Sequence, residues 1–173
     1  MTQKVTMVLG GAASGKSAFA EGIVTDQGLP RIYLATSQAF DDEMREKIAD
    51  HVAARGSGWT TIEEPLDLPG ALRRISPGHA VLVDCLTLWL TNLMLADRDP
   101  VTATDDLIAA LDVCPAPVTF VTNEVGQGIV PEHALSRRFR NAQGRLNIRI
   151  AARADTVVQV VAGLPNLLKG SLT

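Results

Sequence analysis

Gly10-Gly11-Ala12-Ala13-Ser14-Gly15-Lys16-Ser17 carries the spacing G-x-x-x-x-G-K-[ST], and its flanks decide how it is read. The preceding run Val5-Thr6-Met7-Val8-Leu9 is short and apolar, suited to a buried parallel strand, and Ala18 to Val24 opens a helix. Glycines let the backbone wrap with its N–H groups converging, and the helix N-terminus adds partial positive charge. In such a loop Lys16 reaches the β- and γ-phosphates and the Ser17 hydroxyl ligates Mg²⁺. The alternative is a glycine-rich turn without a ligand, and the complete motif between a strand and a helix outweighs it. The stretch implies a site for a nucleoside triphosphate.

Outward from this loop, apolar strands alternate with helical patterns, the signature of parallel βαβ units. Strands are expected at residues 31–36, 59–63, 80–84, 118–122 and 156–161. Helices are expected at 41–55, 67–75, 86–96, 104–111 and 132–154, with Met44, Ile48 and Val52 marking an apolar stripe on the first of these. The chain after Gly163 is expected to be irregular. The fold class is therefore α/β: a P-loop NTPase-type, RecA-like, mostly parallel sheet with helices on both faces. A chain of 173 residues fits one such domain over 1–173.

Composition narrows the function classes. A net charge of −3 argues against a general nucleic-acid or anionic-membrane binder. The most apolar helix, residues 86–96, is short and contains Thr87, Thr91 and Asn92, so no transmembrane segment is expected. The N-terminal apolar run passes straight into the phosphate loop, unlike a signal peptide. Cys85 and Cys114 lack metal-ligand spacing and read as buried thiols of a cytoplasmic protein.

Several residues carry possible chemistry. Asp84 ends an apolar strand, where a carboxylate can hold Mg²⁺ beside Ser17 or simply cap a helix; the phosphate loop favours the metal role. His51 falls at the edge of the apolar stripe of its helix. Spacing alone favours a half-buried histidine without chemistry, and the alternative is an imidazole nucleophile attacking an α-phosphate. Arg145, Arg149 and Arg153 lie four apart, as a solvated face or an anion site. Thr122 to Gly128 follows a strand and is expected at the carboxyl edge of the sheet, where open α/β sheets bind ligands.

Taken together, these blocks resemble the bifunctional adenosylcobinamide kinase/adenosylcobinamide-phosphate guanylyltransferase family of cobalamin biosynthesis. The resemblance runs through Gly10–Ser17, Ala35-Thr36-Ser37-Gln38, Asp41-Asp42-Glu43-Met44, Ile48 with His51, and Trp59…Thr61…Glu63. It continues through Thr122-Asn123-Glu124-Val125-Gly126, Gly128-Ile129-Val130-Pro131, Phe139-Arg140…Gly144-Arg145…Asn147, Ala154-Asp155 and Val160-Val161-Ala162-Gly163-Leu164-Pro165. The resemblance implies phosphorylation of adenosylcobinamide by ATP or GTP, then transfer of GMP from GTP to that phosphate with release of pyrophosphate. It makes His51 the guanylylated residue, which reverses the reading from spacing, and Lys16 its catalytic companion. It assigns the nucleotide to Gly10, Gly11, Ala12, Ala13, Ser14, Gly15, Lys16 and Ser17, to Ala35, Thr36 and Ser37, to Val52, Ala53, Ala54 and Arg55, and to Glu63 and Asp84. Glu63 is assigned to guanine, whose N1–H and 2-amino group match a carboxylate. Ser17 and Asp84 would hold Mg²⁺, and Asp84 or Glu124 would orient the substrate hydroxyl. Val52, Gly56, Asn141 and Ile148 depart from the residues common in the family. A homo-oligomer is expected, with a corrinoid and nucleotides as its other partners. Two competing readings are a P-loop kinase without transferase activity, which has no need of His51, and a nucleotide-driven switch.

Overall fold

The computed structural model describes residues 4–38 and 42–172, and of Glu43, Met44, Lys47 and His51 it describes the backbone alone. The elements run β1 (Val5–Gly10), α1 (Lys16–Thr25), β2 (Arg31–Ala35), α2 (Asp42–Arg55), β3 (Trp59–Glu63), α3 (Leu68–Arg73) and β4 (Ala80–Asp84). They continue as α4 (Leu86–Leu95), α5 (Pro100–Val113), β5 (Val118–Asn123), α6 (Ala134–Arg153), β6 (Thr156–Val161) and β7 (Leu164–Lys169). The sheet order is β3-β2-β4-β5-β1-β6-β7. All neighbours pair parallel except β7, which returns antiparallel beside β6.

Parallel strands are buried on both faces, so Val81-Leu82-Val83 and its neighbours read as continuous apolar runs. Alternate residues of each strand serve different cores. Met7, Leu34, Val81, Val83 and Phe120 pack under α3, α4, α5 and α6. Val8, Tyr33, Leu82, Val121 and Val158 pack under α1 on the other face. Asp67 caps α3 by accepting from the Gly70 N–H at 2.9 Å, and Asp99 caps α5 through the N–H groups of Val101 and Thr102. Pro100, at the first position of α5, is preorganised for the helix, so that helix starts earlier than expected at 104. Cys85 and Cys114 are buried, and burial pushes both thiols up, Cys85 to about 11. Among the described residues no helix is long and apolar enough to cross a membrane.

One expectation is corrected. The chain after Gly163 is not irregular: β7 pairs with β6 through the two-residue turn Ala162-Gly163, with Leu164 opposite Val161. Both turn residues have positive φ, 51° and 77°, as a type I′ hairpin requires. The apolar positions of α2 are only partly covered. Val52 is 44% exposed, Ile48 is half-buried, and α2 gives no described residue to either core. The exposed Arg45, Glu46 and Asp50 share this helix. Met44 cannot be compared, because its side chain lies outside the described residues, as does Asp41 altogether.

Candidate active site

The parallel register brings the expected site residues to one edge of the sheet. Glu63 lies opposite Ala35, Ala35 opposite Asp84, Asp84 opposite Val121, and Gly10 opposite Asn123. These are carboxyl ends of strands. β5 alone separates β1 from β4, so Gly10 and Asp84 are on the order of 10 Å apart across the sheet. Glu63, four strands from Gly10, lies roughly 19 Å along the same edge.

The phosphate loop is tightly built. A Cβ at Gly10 would sit 2.5 Å from the Ser14 Oγ and 2.6 Å from the Val160 carbonyl oxygen. Gly15 has φ +90°, and a Cβ there would come 3.1 Å from the Gly163 Cα. Both positions therefore exclude side chains, which the motif's glycines satisfy. No side chain caps α1, leaving its first N–H groups for an anion. The Lys16 Nζ arches back and donates to the Gly11 carbonyl at 3.0 Å. Ala12 and Ala13 are exposed at the crown, and Ser14, Lys16 and Ser17 are half-buried. The Ser14 Oγ is buried without a hydrogen-bond partner among the described residues.

Asp84 accepts a hydrogen bond at 3.0 Å from the Tyr33 hydroxyl. Burial, and then the Asp84 charge, push the Tyr33 phenol far above its ordinary value, so it stays protonated and donates. The Arg55 guanidinium stacks on the other side of this contact, with its carbon 3.3 Å from the Tyr33 ring centroid. Its Nε and Nη1 are buried without hydrogen-bond partners among the described residues. Trp59 meets Tyr33 edge-on at 6.2 Å, and Arg31 covers Trp59 at 5.4 Å while donating to the Ser57 and Gly58 carbonyls. A ladder of rings and cations thus fastens the C-terminal end of α2 beside Asp84.

The remaining expected residues fall into place around this edge. Residue 51 lies one turn before Arg55 and on the same face of α2; its side chain lies outside the described residues. Val52, Ala53 and Ala54 are exposed. Thr36 is fully buried: its hydroxyl donates to the Cys85 carbonyl at 2.7 Å and accepts from the Cys85 N–H at 2.9 Å. It therefore braces the β2–β4 edge, while Ser37 beyond it is half-buried. Glu63 is exposed with no hydrogen bond or ion pair among the described residues, whereas Glu64 caps the Leu66 and Asp67 N–H groups. The half-buried Glu124 is tied to the cradle through its own N–H, which donates to the Gly10 carbonyl at 3.0 Å. Its carboxylate accepts from the Gly126 N–H. Among the described residues no three metal-ligating side chains converge. The Ser17 hydroxyl and the Asp84 carboxylate are oxygen donors of the kind Mg²⁺ takes, one or two from protein with phosphate and water filling its shell.

The arginine helix divides. Arg149 pairs with Asp105, and Arg153 with Asp112, which makes this part of α6 a brace against α5. Arg138 and Arg145 line a cleft of about 770 Å³ with Met94, Val101 and Ile148. It is bounded by α4, α5 and α6, on the sheet face opposite α1, so it belongs to the helical layer and not to the phosphate edge. Tyr33 went unnoticed in the sequence, although it is the chain's single tyrosine and sits inside an apolar strand, where a buried hydroxyl needs a partner. Gln143 was equally unmarked, although it joins Thr122 and Asn147 in a buried cluster that ties α6 to the end of β5.

Known proteins are similar to this chain in sequence or in fold. The bifunctional adenosylcobalamin biosynthesis protein CobP of Pseudomonas aeruginosa is 47% identical over 168 residues, covering 95% of this chain and 96% of its own. The corresponding CobU protein of Salmonella typhimurium is 44% identical over 175 residues, covering 91% of this chain and 96% of its own. The RadB recombinase structure superimposes with a TM-score of 0.53 at 16% identity, covering 90% of this chain and 73% of that one, and it supports the RecA-like P-loop fold. The cobinamide kinase / cobinamide phosphate guanyltransferase (CobU) family matches residues 6–168, and the chain belongs to that family.

Proposed function

We propose that this chain phosphorylates adenosylcobinamide with ATP or GTP and then transfers GMP from GTP to adenosylcobinamide phosphate, through a guanylyl group carried on His51. The observation that carries the proposal is the juxtaposition at one sheet edge of a complete phosphate cradle, Asp84, and the helix that bears His51. In this reading residues 1–173 act as one P-loop domain.

In the guanylyl transfer, the triphosphate lies along Gly10–Ser17, with the Lys16 ammonium leaving Gly11 to meet the β- and γ-phosphates. A neutral His51 nitrogen attacks the α-phosphorus; a P–N bond forms, the P–O bond to pyrophosphate breaks, and pyrophosphate departs with the electron pair. A phosphate oxygen of adenosylcobinamide phosphate then attacks the same phosphorus, and the P–N bond breaks to return the imidazole. Glu63 accepts from the guanine N1–H and 2-amino group, while Val52, Ala53 and Ala54 flank the nucleotide. The Arg55 Nε and Nη1, buried without hydrogen-bond partners among the described residues, are available to phosphate oxygens. Ser17 and Asp84 would hold Mg²⁺, which neutralises charge developing on the transferred and leaving groups. For the kinase step, Asp84 and Glu124 are the carboxylates at this edge able to orient the acceptor hydroxyl. The enzyme works in the cytoplasm as a homo-oligomer in this reading; exposed Leu95, Val101 and Ile148 around the helical cleft suit a contact between copies.

The test is incubation with GTP labelled at the α-phosphate, followed by acid and base treatment and peptide mapping. Acid-labile, base-stable GMP on the peptide containing His51 is expected. Label on another residue, or persistent acid-labile label in folded His51→Ala, refutes the assignment.

A further inference from the structure

The stretch Val160 to Pro165 is not absorbed by the mechanism, yet it approaches the phosphate loop at three points, two from the turn at Gly163 and one from the end of β6 at Val160. The Gly163 N–H donates to the Ser14 carbonyl at 2.8 Å. The Gly163 Cα lies 3.1 Å from where a Gly15 Cβ would be, and the Val160 carbonyl lies 2.6 Å from where a Gly10 Cβ would be. A trans peptide is planar, with its C=O and N–H on opposite sides. Drawing the Ser14 carbonyl outward to Gly163 therefore turns the Gly15 N–H inward, toward the space in which the loop holds phosphate. We propose that the β6–β7 hairpin is an outer strap of the phosphate cradle, and that Gly163 is a positioning residue for the triphosphate, acting through the Ser14–Gly15 peptide. This rests on the reading of residues 10–17 as that cradle.

The role of Gly163 lies in its backbone. At φ +77° it is in the left-handed region, and a Cβ added there meets nothing within 4 Å. A side chain at 163 would thus disturb the strap only by pulling the turn away from that conformation. The N–H that holds Ser14 would move with it.

Wild type, Gly163→Val and Gly163→Asn should be compared by calorimetric titration with Mg-GTP and with GMP, folding being checked by circular dichroism. Valine resists positive φ whereas asparagine tolerates it, so Gly163→Val is expected to bind GTP about tenfold more weakly and Gly163→Asn to stay within about threefold of wild type. GMP, which lacks the β- and γ-phosphates, should bind all three within about threefold. A merely structural role would weaken both nucleotides alike. Folded Gly163→Val that binds GTP as wild type does overturns the strap while leaving the cradle standing; wild type that binds no GTP overturns both. Hydrogen exchange on the nucleotide-free wild type tests the same contact without any variant. A protected Gly163 amide is expected, and a freely exchanging one refutes the proposal.

Discussion

Residues 10–17 are gripped by backbone on several sides, with β5 and β6 flanking β1 and the Gly163 turn closing the outside. α2 differs: it gives no described residue to either core, and among its described contacts with the sheet is one arginine stacked on one ring. The first region handles a triphosphate, which both proposed reactions consume. The second carries His51, the proposed nucleophile, which only the transfer would need. In the proposed reading, a packed cradle lies beside a helix that gives no described residue to either core.

Lys16→Ala should make the largest difference and remove both activities. Loss of a preorganised charge at the transferring phosphates costs on the order of 10²- to 10³-fold in turnover. His51→Ala should be as severe for GMP labelling and transfer while leaving phosphorylation of adenosylcobinamide nearly untouched. Loss of both activities in folded His51→Ala would erase the proposed division of labour. Arg55→Ala probes the fastening. A cation stacked on an aromatic ring contributes about 0.5–2 kcal/mol, so the rate of guanylylation should fall by about 2- to 30-fold. Kinase turnover should fall less, and rapid-quench labelling beside a coupled kinase assay reads both.

Cys85 is a milder probe of the edge. Its thiol is raised from 9.0 to about 11 in the folded protein, so the neutral form is favoured by folding. That stability is fully present below pH 9 and is lost as pH rises toward 11. The Cys85 sulfur caps α4 by accepting from the Leu88 N–H at 3.5 Å. Serine keeps a capping oxygen without that titration, so melting temperature should decline less steeply over this interval in Cys85→Ser than in wild type. Arg149→Ala should do least, changing stability by less than about 1 kcal/mol and neither activity, because its pairing with Asp105 is an exposed brace.

Much of the cradle was legible because its signal is local: a strand, a loop with fixed glycine positions and a helix start occupy consecutive residues. Asp84, Glu63 and Ala35 were legible for a related reason, since strand ends in a parallel sheet share one edge. Tyr33 was not, because its value depends on Asp84 across β4 and on Arg55 from α2, neither of which is near in sequence. The exposure of α2 was not legible, because the spacing of Met44, Ile48 and Val52 marks a face of the helix without saying what packs against it. β7 was missed because Leu164-Pro165-Asn166-Leu167-Leu168-Lys169 has no clean alternation and contains proline. An edge strand tolerates that proline, whereas a central one would not. Its turn is Ala-Gly, which signals a hairpin more weakly than Asn-Gly or Asp-Gly. Arg149 and Arg153 resolved into ion pairs only once α5 was seen beside them.

The order in which a chain is synthesised gives the hairpin another meaning. The loop that identifies this protein emerges first, yet its central strand cannot be flanked until residues far along the chain arrive; the Val5 N–H, for example, waits for Asp155, 150 positions later. Early nucleotide capture by a growing chain is therefore disfavoured, since closing so long a span comes late in assembly. A phosphate loop whose strand and outer face are held by residues 155–163 is thus completed only in a chain that already includes them.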